Sequence, residues 1–319
     1  MTFLTICAAA FLIFIIGRND GSPLAATALR SSQKSTWWIV VILLVSVVAV
    51  PLAGLYVVAE ILARLFGESF GDPATGLSLL LAVGATVLLS LAVGVPTSIT
   101  LALVGALAGT LVGVGARPDW GHVLFVLGLG ALAPGLACLL AYVLRRLPLR
   151  SWVETPETVR VLGGVRVVAY TLLCIAYSVN DGQKNTFIAA VAVSIPVGAA
   201  AGNVWVQLVI CALFGAGFLT GMRTSVRTLT TGVFRPTPLP ILWAQLSTFT
   251  TLVSGAALGA PLSMTQALQG SVLGTGLSRG YKAVRWEVVL RVLQAWFWTL
   301  PVAGVLSFVL SVSVQFIVR

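Results

Sequence analysis

Two Asn-Asp pairs, Asn19-Asp20 and Asn180-Asp181, stand 161 residues apart, each directly after an apolar run. Two Ser-x-Thr triplets, Ser98-Ile99-Thr100 and Ser263-Met264-Thr265, stand 165 residues apart, each two residues after a proline, Pro96 or Pro261. A carboxylate placed in a low-dielectric interior needs a partner ion, a proton or water. Asp20 and Asp181 are therefore candidates to hold a coupling cation, with Asn19 and Asn180 beside them. Proline suits the first turn of a helix. Hydroxyls and free N–H groups at a helix N-terminus suit an oxyanion. Ser98, Ile99, Thr100, Ser263, Met264 and Thr265 are candidates for that role, the Ile and Met through their backbone. Lys184 follows the second acidic pair and can meet an anion or neutralise Asp181. A site holding both sets of groups suits cation-coupled uptake of an anion. The plainer alternatives are helix caps at the membrane surface for Asn-Asp, helix packing for Ser and Thr, and a snorkelling lysine. Occurrence of both motifs twice, in the same order, favours a site.

The elements that must position these residues lie in a bilayer. Of 319 residues, 58% are hydrophobic and 9% are charged, and the mean hydropathy is +1.04. A soluble domain carries about 25% charged residues. Long apolar runs favour helices over an outer-membrane barrel, whose strands are short and alternating. The predicted class is an all-α integral membrane protein with about 10–12 membrane segments. Apolar stretches fall near 2–17, 37–66, 77–95, 99–115, 121–144, 161–179, 185–201, 204–222, 238–259, 265–278 and 286–313. Those at 2–17, 99–115 and 265–278 are short or glycine-rich, which predicts broken helices or re-entrant hairpins. The opening run, MTFLTICAAAFLIFIIGRND, lacks a basic n-region and reads as a retained first helix rather than a cleaved signal.

The motifs belong to an internal duplication. VGVPTSITLALVGALAG (93–109) aligns with LGAPLSMTQALQGSVLG (258–274), sharing Gly-x-Pro-x-Ser-x-Thr-x-Ala-Leu-x-Gly. The predicted organisation is a first transmembrane repeat at 1–145, a basic linker at 146–160 and a second repeat at 161–319. Arg145, Arg146, Arg150 and Arg160 lie at this joint. Further basic clusters fall at Arg223, Arg227 and Arg235, and at Arg279, Lys282 and Arg285. Loop 67–76 carries Glu68 and Asp72 and no basic residue. The asymmetry predicts cytoplasmic basic loops and an external acidic one. It also accounts for the +10 net charge without a nucleic-acid partner.

The remaining inventory is poor in other chemistry. Cys7, Cys138, Cys174 and Cys211 lie in apolar runs without C-x-x-C spacing, and His122 is the single histidine. They suit packing, and predict neither a metal site nor a cofactor. Tryptophans such as Trp37, Trp38 and Trp152 suit an interfacial belt. A membrane enzyme acting on a phosphate ester would need a nucleophile and base, or a metal cluster. A non-transporting scaffold of the same fold is the other alternative. A homodimer is a candidate assembly.

Together these motifs resemble the inorganic phosphate transporter family. That family carries a G-x-N-D-type and a P-x-S-T-T-type motif in each half. VNDGQK (179–184) is similar to the second-half motif of the bacterial branch, and RGYKAVRWEVVLRVLQAWFWTLPVAGVLSFVL (279–310) resembles the C-terminal segment. The resemblance implies two inverted repeats, alternating access, and phosphate held at the midplane. By position, Asn19, Asp20, Asn180 and Asp181 would serve coupling ion and substrate. Ser98, Thr100, Ser263 and Thr265 would hold phosphate oxygens. The middle hydroxyl of S-T-T is Ile99 in one copy and Met264 in the other, so sulfate is an alternative anion to phosphate. The bacterial branch implies proton coupling, with phosphate carried free or as a neutral metal complex; other branches imply sodium.

Overall fold

The computed structural model describes residues 1–29, 37–67, 71–94, 97–146, 156–231 and 238–318. Pro96, Glu68, Arg150 and Arg235 lie outside them, as does most of the central linker. The fold is all-α. The first half runs through α1 (Thr2–Ile16), a π-helical turn (Gly17–Gly21), α2 (Ser22–Leu29), α3 (Trp37–Leu52) and α4 (Val57–Phe66). It continues with α5 (Pro73–Ala92), α6 (Ile99–Gly113) and α7 (Trp120–Arg146). The second half opens with α8 (Pro156–Tyr177), a second π-helical turn (Ser178–Gly182) and α9 (Gln183–Val193). It continues with α10 (Val197–Gly202), α11 (Val204–Thr231), α12 (Pro238–Ala257), α13 (Met264–Leu277) and α14 (Trp286–Val318).

The surface is apolar, and a cluster of polar residues lies buried within the apolar core. Phe3, Val41, Leu124, Val168, Trp205, Phe297 and Val305 are exposed, while Asp20, Asn180, Asp181, Gln183, Lys184 and Asn185 are buried. This distribution fits a lipid solvent around a polar centre. Six helices among the described residues are long and apolar enough to cross a bilayer, and α3 and α4 form a further pair bent by 63°. The protein is a multi-pass membrane protein.

The two Ser-x-Thr motifs sit in matching elements. α5 and α12 begin 165 residues apart and each has 20 residues. Each is followed by a glycine with positive φ, Gly94 at 75° and Gly259 at 71°. Only glycine adopts that conformation without strain, so the chain turns back there in both halves. It then enters a short helix, α6 with 15 residues or α13 with 14. At 1.5 Å per residue such a helix covers about 22 Å, less than the ~30 Å hydrocarbon core. Ser98 caps α6 through Leu101 N–H, and Ser263 caps α13 through Gln266 N–H.

The Asn-Asp segments stay inside continuous helices. Each is a π-helical turn inside one continuous span, Thr2–Leu29 or Gly163–Val193. Their Gly, Ser, Asn and Asp residues all keep right-handed helical geometry, so an extra residue widens the turn without interrupting it. In the first copy the widened turn also precedes Pro23, which has no N–H to donate. π-turns within α-helices recur at functional sites because they re-aim side chains.

Tertiary packing exchanges the halves. α6 packs along α14, and α13 packs along α7. A Cβ at Gly105 or Gly109 would fall 2.4 or 2.0 Å from the carbonyl oxygens of Leu300 and Gly304. The counterparts Gly270 and Gly274 lie equally close to Pro134 and Cys138, at 2.2 and 2.0 Å. Small residues let these backbones touch. A second tie joins the bent pair to the site helix. The Gln183 amide accepts from Ala59 N–H at 3.1 Å and donates to Leu55 O at 2.6 Å, capping α4 from α9. Gln183→Leu would leave both groups unsatisfied and should cost about 1–3 kcal/mol, read as a lower melting temperature of the detergent-solubilised protein.

Candidate functional site

The site forms where the N-termini of α6 and α13 meet between the two π-turns. Its symmetry is visible in two backbone carbonyls. Thr97 O, just before α6, accepts from the Thr265 hydroxyl of the other half at 3.5 Å. Leu262 O, its counterpart before α13, accepts from the Thr100 hydroxyl at 3.2 Å. Each half thus donates a hydroxyl into the other. Ser263 Oγ and Thr265 Oγ1 lie 2.9 Å apart, and Thr97 is held from behind by the Thr299 hydroxyl at 2.7 Å.

The acidic pairs enter from both sides. Asn19 Nδ2 donates to Asp20 Oδ1 at 2.9 Å and to Thr97 O at 3.3 Å. Asp181 Oδ2 accepts from Met264 N–H at 2.8 Å, and its Oδ1 accepts from the Lys184 ammonium. Lys184 Nζ also donates to the Thr100 hydroxyl and to Leu262 O. Lys184 is fully buried, so its side chain does not snorkel to a membrane surface. Asn180 turns instead to α12, donating to Leu252 O at 3.1 Å.

Of the predicted site residues, Asn19, Asp20, Ser263 and Thr265 form one hydrogen-bonded set through Thr97 O, and Thr100, Asp181, Lys184 and Met264 form a second around the ammonium; the two adjoin where Ser263 precedes Met264. Ser98 and Ile99 join them through the N-terminus of α6. Ile99 and Met264 contribute buried apolar side chains and backbone N–H groups. Met264 N–H is taken by Asp181. The N–H groups of Ile99, Thr100 and Thr265 are first-turn donors with no helical partner. Such donors, the positive ends of two helix dipoles and an ammonium can together hold an oxyanion. Arg18, adjacent to the first pair in sequence, is exposed and stands apart from the cluster.

Sequence reasoning missed Tyr177. Its ring is buried against Phe214, with centroids 5.9 Å apart. Its hydroxyl has no hydrogen-bond partner among the described residues and feels both Asp20 and Asp181. The carbonyls of Thr97 and Leu262 were also missed, because a backbone acceptor leaves no trace in residue type. Tyr177 stood two residues before Val179-Asn180, but its counterpart in the first half is Ile16, so the repeat did not mark it.

A profile of the phosphate transporter family matches residues 136–307, more than half of the chain. The chain belongs to the phosphate transporter family. Among relatives of this family member, a Mycobacterium tuberculosis protein named "Probable low-affinity inorganic phosphate transporter" is 31% identical over 229 residues, covering 69% of this chain and 55% of that one. A Rhizobium meliloti protein of the same name is 29% identical over 233 residues, covering 67% of this chain and 66% of that one. The chain thus spans about half the length of the mycobacterial relative. A solved structure named "The sodium-dependent phosphate transporter" superposes with a TM-score of 0.80 at 19% identity, over 99% of both chains. That likeness establishes the fold.

Proposed function

We propose that this family member is a secondary transporter of inorganic phosphate in a bacterial cytoplasmic membrane. It works by alternating access and is driven by a proton or sodium gradient. The observation that carries the reading is the crossing of α6 and α13, with Thr100 bonded to Leu262 O and Thr265 to Thr97 O. Two helix N-termini from opposite halves converge on one point, where anion donors and two buried carboxylates lie together. The repeats 1–145 and 161–319 are read as inverted, with 146–160 as the cytoplasmic joint. A shared central site between half-length helices suits that arrangement.

In this mechanism the free N–H groups of Ile99, Thr100 and Thr265 and the Ser98, Thr100, Ser263 and Thr265 hydroxyls receive the anion's oxygens. Lys184 lends positive charge. Asp20 and Asp181, with Asn19 and Asn180, form the acidic region that serves the cation whose gradient drives the cycle. The names of the mycobacterial and rhizobial relatives support phosphate, and the sodium dependence named for the superposed transporter supports ion coupling. The apolar Ile99 and Met264 in place of hydroxyls keep sulfate as the second reading.

Uptake of labelled phosphate into proteoliposomes tests both. Sulfate, arsenate and molybdate would compete, with and without sodium, at two pH values. Phosphate should be concentrated down one imposed cation gradient, and Asp20→Asn should reduce uptake at least tenfold, about 1.4 kcal/mol of lost coupling. Uptake equal to wild type would remove Asp20 from the mechanism. Sulfate outcompeting phosphate would move the substrate assignment.

A further inference from the structure

The two Asn-Asp turns match in their backbone but not in their charge. An offset of 161 places Asp20 against Asp181, and Pro23 against Lys184. Asp181 is satisfied on both oxygens, by the Lys184 ammonium and by Met264 N–H. Asp20 receives only the Asn19 amide, on Oδ1. Its other oxygen accepts no hydrogen bond among the described residues. The two equivalent carbonyls show the same exchange. Thr97 O accepts the neutral Asn19 amide, whereas Leu262 O accepts the Lys184 ammonium. Lys184 therefore sits among a carboxylate oxygen, a hydroxyl and a backbone carbonyl. That is an all-oxygen shell of the kind a hard cation takes, filled here by the chain itself.

The Tyr177 hydroxyl and Asn180 Oδ1 are buried without a hydrogen-bond partner among the described residues. The charged and titratable groups that interact with Asp20 are Asp181 and Lys184, and Tyr177 interacts with both carboxylates and with Cys174. With Asp20 and Asp181 ionised and Lys184 charged, the cluster keeps one uncompensated negative charge, and it lies at Asp20.

Resting on the transport reading above, we propose that Lys184 is a built-in cation that neutralises Asp181, so that the site takes up a single exchangeable coupling cation, at Asp20. A site with two free carboxylates would take two. Lys184 would thereby set the coupling ratio while also facing the anion through Thr100.

The test needs no phosphate. The full chain in lipid nanodiscs is melted across a sodium titration at fixed pH, balanced with choline, and across a pH titration in choline alone. A ligand that binds only the folded state stabilises it in proportion to the logarithm of its concentration, and the slope counts the ions bound. Wild type should show a slope of one for either sodium or protons, and Asp20→Asn should flatten it. Lys184→Gln should double the slope, and the second unit should vanish in Lys184→Gln/Asp181→Asn. Pro23→Lys, which supplies the missing cation to the first half, should flatten the wild-type slope. A wild-type slope of two or zero, or an unchanged slope in Lys184→Gln, would overturn the proposal. Should Lys184→Gln fail to fold, the wild-type slope and Pro23→Lys decide. A chain that takes up no phosphate yet shows this slope pattern would remove the transport reading and leave the built-in cation standing.

Discussion

Lys184→Met should destabilise the protein by about 3–5 kcal/mol in sodium-free buffer at neutral pH, the usual consequence of removing one partner from a buried ion pair. The loss arises because Asp181 surrenders the ammonium deep in the interior and must take a cation or proton in its place or stay uncompensated. Asp181→Asn should destabilise for the converse reason, since it leaves a fully buried ammonium with only the Thr100 hydroxyl and Leu262 O as acceptors. The double variant Asp181→Asn/Lys184→Met removes both charges and should recover most of the stability, because a neutral replacement of a buried pair is often tolerated. Thermal melts of the three variants form a double-mutant cycle. Additive losses would mean that Lys184 and Asp181 do not act as a pair. Stability recovered in the double variant should not bring back uptake, because the carboxylate that neighbours Met264 N–H and the ammonium that reaches Thr100 would both be gone.

Gly109→Ala and Gly274→Ala are expected to have the second large effect, through packing alone. A Cβ at either position falls 2.0 Å from a carbonyl oxygen of the opposite half, Gly304 or Cys138. No rotamer change relieves contact with backbone, so α6 must leave α14, or α13 must leave α7. Overpacking costs about 1–3 kcal/mol and occasionally more, and these contacts belong at the upper end. Both helices also carry the capping serines, so the displacement would carry Ser98 or Ser263 with it. Gly128→Ala and Gly135→Ala are the controls. Nothing lies within 4 Å of a Cβ at either, and replacing a helical glycine by alanine there should gain about 0.5–1 kcal/mol. Melting temperature and monodispersity on size exclusion would separate the two classes. Equal behaviour of all four would contradict the crossed packing of the halves.

The sequence by itself determined the solvent, the class and the repeat. An apolar content of 58% with 9% charge admits a bilayer and little else, and the recurrence of Asn-Asp and Ser-x-Thr marked the residues that meet. Ser98 and Ser263 were legible as helix starts because a cap bonds a group only three residues away, so local sequence encodes it. The tertiary structure decided what these residues touch. Thr100 meets Leu262 and Thr265 meets Thr97 across more than 160 residues, and no periodicity reports such a pairing. The Asn-Asp pairs form π-turns within continuous spans, a choice left to packing because glycine and small polar residues accept helical and broken geometry alike. Packing also separated the two cations that border the Asn-Asp pairs: Arg18 is exposed, while Lys184 is enclosed. Both follow apolar runs, but the face of the helix that each occupies is fixed by the turn beside it. In the second half that turn directs the ammonium onto Asp181, and in the first half Pro23 occupies the matching position with no charge to offer.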